Sequence, residues 1–330
     1  MFLGYIHTFR AIAIFFIVAG HSIDTFNWTD SPDLGRALRI FFSNGTILFV
    51  FIAGYLFQYL SPRYDVKKYF ISKLKNVLLP YVLISIPAIL IFTLVQKRDT
   101  VWDGFYDEPL WLQVVNFYVT GTHLAPLWFI PMITLFYLIS PVLIWADKVR
   151  FFYFSIPLFI VLSCFVSRGF PLQSFVHFFS VYALGMFCSR YKSSVNALLE
   201  TSTFLTVAGT AVIVFGLCEF YLMEGTMTYF NLLQKLTLSI LILGILIRLK
   251  EKSSSHYLNL VADTSFGIFF VHSYILTASR LSYEKLFGIA AEGSFSEYIF
   301  FTFGMIVIST AAVCIIKQIL GTKSKFLVGS

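Results

Sequence analysis

The chain is poor in charge: Asp, Glu, Lys and Arg together make up only 12% of its 330 residues. A water-soluble domain carries about twice that fraction, so an ordinary soluble fold is excluded. Cysteine is equally scarce. The four present, Cys164, Cys188, Cys218 and Cys314, lie in apolar stretches without paired or metal-ligand spacing. They exclude a disulfide scaffold or thiolate metal site and read as packing residues, and no metal is expected. Internal repeats, low-complexity tracts and glycine-rich phosphate loops are missing as well. The first apolar run has neither a basic n-region nor a small-residue cleavage site and carries Arg10 and His21, so it reads as a helix of the mature protein rather than a leader.

What is present is apolar bulk. Hydrophobic residues make up 58% of the chain, with 39 Phe and 18 Tyr, and the mean hydropathy is +0.81. That is more apolar surface than one soluble core hides, so the lipid bilayer is the main solvent. The aromatics run through every apolar segment as lipid-facing and inter-helix bulk, which leaves no stacking platform for nucleic acid. The net charge of +7 follows from topology, because membrane proteins collect Lys and Arg in cytoplasmic loops.

Measured against the roughly 20 apolar residues that a crossing needs, ten stretches qualify: 5 to 26, 40 to 60, 77 to 95, 127 to 146, 151 to 168, 174 to 189, 203 to 222, 230 to 248, 264 to 280 and 297 to 319. The expectation is an all-α, polytopic membrane helical bundle of about ten transmembrane helices, a single domain over 1 to 330 with no fused soluble domain. The fifth and sixth stretches are short and form a tight hairpin or a partly re-entrant pair. One alternating set of loops holds Arg63, Lys67, Lys68, Lys73, Lys75, Lys148, Arg150, Arg190, Lys192, Arg248, Lys250, Lys252, Lys317, Lys323 and Lys325, and it outweighs the other set, with Arg36, Arg39, Lys97, Arg98, Arg168, Arg280 and Lys285. Both termini are therefore expected in the cytoplasm. The long outer connection from Gln96 to Pro126, rich in Trp and Phe, is expected at the interface or folded back over the bundle.

Chemistry is then sought at ionisable groups inside the spans, where each costs several kcal/mol unless paired or hydrated. Arg10 and His21 in the first stretch are eleven positions apart, three turns at 3.67 residues per turn, so they share one face about 16 Å apart along the axis. Arg10 sits toward the cytoplasm and His21 toward the outside, with Gly20 leaving room for a close approach. This layout suits an anionic donor below and a nucleophile activated above. On spacing alone it is balanced by a bland reading in which Arg10 snorkels and His21 packs.

Further motifs shift that balance. Phe49-Val50-Phe51-Ile52-Ala53-Gly54-Tyr55-Leu56, the basic run Lys73-Leu74-Lys75 leading to Pro80-Tyr81, Leu127-Trp128-Phe129-Ile130, and Thr264-Ser265-Phe266-Gly267-Ile268-Phe269-Phe270-Val271-His272 follow the Arg10 and His21 pair in order. Together they resemble the acyltransferase-3 family of membrane O-acyltransferases, with Ala53 where serine is usual and Lys where Arg is commoner. The resemblance covers essentially the whole chain. It implies transfer of an acyl group, usually acetyl, from cytoplasmic acetyl-CoA to a hydroxyl of a cell-envelope polysaccharide or lipid-linked glycan, at the inner (plasma) membrane. By the same resemblance Arg10 contacts the donor and His21 acts in transfer. Neutral imidazole takes the hydroxyl proton as it attacks the thioester; an acyl-histidine intermediate fits the same residues.

Around this pair, Asp24 lies one turn beyond His21 and is a candidate to accept its other ring N–H. Lys73 and Lys75 are candidates for the donor phosphates, His272 for a pore or donor-binding role, and Trp128, at the outer mouth of the fourth stretch, for the acceptor. His123, His177 and Lys235 are expected to pack. Polysaccharide-synthesis proteins are possible partners under this reading. A transporter or flippase of a glycan or small anionic solute, with Arg10, His21 and His272 as substrate or proton path, is the competing class.

Overall fold

The computed structural model describes residues 3–249 and 255–329. Lys250 and Lys252, counted above with the basic loops, lie outside them. The described chain is almost wholly helical. In order it runs α1 (Gly4–Ser22), α2 (Pro32–Phe42), α3 (Thr46–Leu60), α4 (Val66–Lys73), α5 (Leu79–Leu94), α6 (Leu110–Thr120), α7 (Phe129–Leu138), α8 (Ser140–Ala146), α9 (Arg150–Phe154), α10 (Ile156–Phe165), α11 (Pro171–Arg190), α12 (Lys192–Leu199), α13 (Ser202–Leu222), α14 (Tyr229–Arg248), α15 (His256–Phe287), α16 (Phe295–Leu320) and α17 (Lys325–Val328).

Among the described residues, eight helical segments are long and apolar enough to cross a membrane, and nine if α7 and α8, bent by 57° at their junction, count as one. That is fewer than the ten stretches of the sequence. The shortfall falls on the fourth stretch, bent between α7 and α8, and on the fifth, which breaks at Ser155 ahead of Pro157 and leaves only the ten-residue α10. Proline at the start of a helix is well placed, but it closes off the turn before it. The expected hairpin with the sixth stretch is present: Ser163 and Ser180 share a 2.8 Å hydroxyl hydrogen bond, and His177 Nδ1 donates to Val166 O at the corner.

Several helices overrun their apolar cores because caps, not hydropathy, set their ends. α4 starts at Val66, where the Asp65 side chain accepts from Lys68 N at 2.8 Å. It passes through a π turn, Leu74–Leu78, into α5. Pro80 has no N–H to donate, and the widened turn carries the chain past it. α15 runs 32 residues between the Ser255 cap and a left-handed Gly288.

α1 is the axle of the bundle, flanked by α3, α14, α15 and α16, with Phe9, Ala13, Ile14, Val18 and Ala19 fully buried. α3 and α11 cross at main-chain distance. A Cβ on Gly54 would overlap the Tyr182 backbone, and one on Gly185 would overlap that of Phe51, the small-residue contact that lets membrane helices pack closely. At the C-terminal end of α1, Tyr298 OH donates to Ala19 O at 3.0 Å and the Trp28 indole donates to Ile23 O at 3.0 Å. A parallel two-residue pairing of Phe26–Asn27 with Ala291–Glu292 closes the same corner. The connection from Gln96 to Pro126 folds back on the bundle: Phe105 and Phe117 bury with Ile89 in a small separate core.

Candidate functional site

Two cavities open along α1. The lower one, about 600 Å³, is lined by Arg10 together with Arg63, Lys68 and Lys73, and by Tyr64, Tyr69, Tyr137, Phe129 and Phe269. Arg10 Nη2 donates to Ser265 Oγ at 3.0 Å, and the Ser265 hydroxyl donates in turn to Ala262 O at 2.8 Å. No carboxylate lies within ion-pair distance of Arg10 among the described residues, and Asp263 is the acid whose field reaches it. Lys73 Nζ stands over two rings, 5.2 Å from the Tyr69 centroid and 4.8 Å from that of Tyr137. These ring faces steady a cation away from bulk water. Asp65 is the one acid in the lining, and its carboxylate already caps α4. A cavity with four cations and a committed carboxylate suits an anionic ligand.

The upper cavity, about 300 Å³, is lined by His21, Asp24, Arg39, Ser43, Asn44, Thr46, Trp128, Arg168 and Phe269. Its wall is more polar. The half-buried His21 ring faces this space and makes no hydrogen bond among the described residues, which leaves it available to a ligand hydroxyl. Asp24 does not orient it. The helix tightens into a 3-10 turn at Ile23–Thr25, and the exposed Asp24 carboxylate pairs with Arg39 Nη1 at 2.5 Å. The ring beside His21 is that of His272, 5.5 Å away between centroids. His272 Nδ1 donates to Ile268 O at 2.8 Å, and a carbonyl only accepts, so the proton is on Nδ1. Its Nε2 is then a bare lone pair, buried without a partner. Gly20 is needed for a different approach than expected: a Cβ there would crowd the Phe42 carbonyl of α2 at 3.1 Å.

Arg168, which in the sequence is one more loop base, stacks its guanidinium 4.8 Å over the Trp128 ring in this chamber. No acid pairs with it among the described residues. Asn44 is the one described non-glycine residue with positive φ, at 62°. It lines the chamber from the link between α2 and α3; its amide nitrogen donates to Asn231 Oδ1 at 3.4 Å, and its side-chain oxygen is buried and unpartnered.

The remaining candidates separate. Lys75 is exposed and lines neither cavity. His272 sits at the His21 level rather than in the lower cavity. Lys235 is buried away from both, its Nζ donating to Ile40 O at 2.9 Å and Gln234 Oε1 at 2.6 Å. His123 packs in the connection between α5 and α7, donating from Nδ1 to Phe117 O at 3.0 Å. Burial drives its pKa down to about 4, the Phe117 hydrogen bond opposes this, and the nearby Arg98 cation adds to it.

The motifs scattered along the sequence converge here. Ser265, Phe269 and His272 occupy one stripe of α15, at Arg10, between the cavities, and at His21 respectively. Trp128 lines the upper cavity and its neighbour Phe129 the lower. Phe49 and Ala53 line the lower cavity from α3, and Gly54 brings α11 against them. Comparison with known families matches residues 3–314 to the acyltransferase domain family Acyl_transf_3. No curated protein and no solved structure matches the chain. A match over nearly the whole length, on helices that cross a membrane, makes this chain a member of the acyltransferase-3 family and a multi-pass membrane acyltransferase.

Proposed function

We propose that the protein moves an acetyl or other short acyl group from cytoplasmic acyl-CoA, acetyl-CoA first, to a hydroxyl of a cell-envelope polysaccharide or lipid-linked glycan at the inner membrane. The observation that carries this reading is the stacking of a cationic cavity at Arg10 beneath a polar chamber at His21, along one face of α1. Arg10, Lys68 and Lys73 hold the phosphates of the donor, and its thioester reaches upward. In the chamber the acceptor hydroxyl lies against His21. The hydroxyl oxygen attacks the thioester carbonyl while His21 takes its proton. The C–S bond then breaks, and the proton passes from His21 to the departing sulfur. His272 accepts the second ring N–H of His21 as the imidazolium forms, and Arg168 and Trp128 receive the acceptor.

This reading uses ten crossings. The bent α7 and α8 make one, and α9 with α10 makes a thin one that returns against α11, so both termini lie on the donor side, where the basic loops collect.

The test is glycan analysis of a deletion strain complemented with wild type or His21→Ala at matched expression, using labelled acetyl. A loss of label of about 100-fold or more is expected from removal of a general base. Unchanged acylation with the alanine variant overturns the reading, and acyl-independent solute flux in liposomes replaces it with a transporter.

A further inference from the structure

The two cavities share a single lining residue among those described, Phe269. Its ring is 3% exposed and meets Phe129 edge-on at 5.5 Å, with Phe266 stacked 6.2 Å away on the lower side and His272 6.4 Å away on the upper. α15 therefore repeats the order of α1: Ser265 at the Arg10 level, then Phe269, then His272 at the His21 level. Seven residues of helix separate the ends of this stripe, about 10 Å of rise. A group that enters beside Arg10 and reacts beside His21 has to pass that ring.

We propose that Phe269 is the movable partition between the donor and acceptor cavities, and that with Phe129 it sets the largest acyl group that reaches His21. The inference rests on the donor and acceptor assignment above. In place, the ring keeps water in the polar chamber from the thioester carbonyl. A swing about χ1 and χ2 admits a narrow acetyl group, whereas each added methylene must displace more of the Phe129 and Phe269 pair. Loss of the ring joins the cavities. Water then adds to the carbonyl carbon and the C–S bond breaks. One water proton goes to the sulfur, which leaves as free CoA thiol, and the carboxylic acid formed gives up its other proton.

The experiment uses the full chain in liposomes with acetyl-CoA and butyryl-CoA, read as CoA thiol released without acceptor, alongside labelled acyl incorporated into envelope glycan by complemented cells. Phe269→Ala is expected to raise acceptor-free thiol release about tenfold. It should also raise the butyryl-to-acetyl transfer ratio by about tenfold or more, the range that methylenes command in a closed apolar pocket. Phe269→Trp is expected to lower acetyl transfer and leave thiol release at or below wild type. Phe269→Leu, which keeps bulk should the alanine chain fail to fold, is expected between wild type and alanine in both readings. If correctly folded Ala and Leu variants keep the wild-type thiol release and acyl ratio within about twofold, the partition is wrong. If wild type itself transfers no label from acetyl-CoA, the donor assignment fails first, and the partition with it.

Discussion

Lys73 and Lys75 are two residues apart and equal in charge, yet only Lys73 lines the lower cavity, which allows a direct comparison. Replacing Lys73 with Gln removes the ammonium held over Tyr69 and Tyr137 while keeping most of its length. A hydrogen bond to a charged phosphate contributes about 1.5–3 kcal/mol. Part of this is offset because the free enzyme also loses a cation–π contact of about 0.5–1 kcal/mol. The net is about 1–2 kcal/mol, or roughly 5- to 30-fold in donor affinity. Lys73→Gln should therefore raise the acetyl-CoA KM by about tenfold, and Lys75→Gln, whose side chain is exposed outside the cavity, should leave it within about twofold. The assay is transfer of labelled acetyl in membrane vesicles over a range of acetyl-CoA, at low and high salt. Equal effects of the two substitutions, or a larger one at Lys75, refute placement of the donor phosphates in this cavity.

Two further predictions follow from the histidines. His272→Phe keeps the bulk beside His21 and removes the Nε2 lone pair. The loss of a hydrogen bond to a developing imidazolium should lower kcat by about 10- to 100-fold with donor KM nearly unchanged, and a shift in KM alone returns His272 to donor binding. His123 titrates near pH 4 against an ordinary 6.5. Its folded pKa is depressed, so below pH 6.5 the unfolded chain takes up a proton that the folded chain refuses, and stability present above 6.5 drains away toward pH 4. The full term is about 3 kcal/mol. Melting of the detergent-solubilised protein should fall more steeply with acid for wild type than for His123→Phe, and parallel curves overturn the assignment.

How far the sequence could be read depended on range. Arg10 and His21 were legible because three helical turns are a local property, and α1 lies at the centre of the bundle, so one face carries both into cavities. The apolar ruler found α3, α5, α11 and α13 through α16 for the same reason. At the fifth stretch it drew one continuous helix where the structure has two short ones, because composition does not register that Ser155 and Pro157 interrupt it. Asp24 is within hydrogen-bond range of His21 by helical spacing alone. Its actual partner, Arg39, comes from the next helix, and an i,i+3 rule cannot weigh a competitor that the fold delivers. Arg168 was hidden among loop bases, since its stacking on Trp128 exists only once the α10 and α11 hairpin closes over α7. Lys73 and Lys75 were indistinguishable in a basic run, and the structure puts Lys73 at the end of α4 and Lys75 inside the π turn that follows it.

The parallel course of α1 and α15 makes the catalytic route a ruler cut from two rigid rods. The two marks, about 16 Å apart on α1 and about 10 Å apart on α15, are fixed by helix rise and not by any connection. Under the proposed function, loops at the His21 end are therefore free to be exchanged for other acceptors without disturbing the reach of the acyl arm. A single residue inserted between Arg10 and His21 would turn the imidazole by about 100° and leave the graduations mismatched.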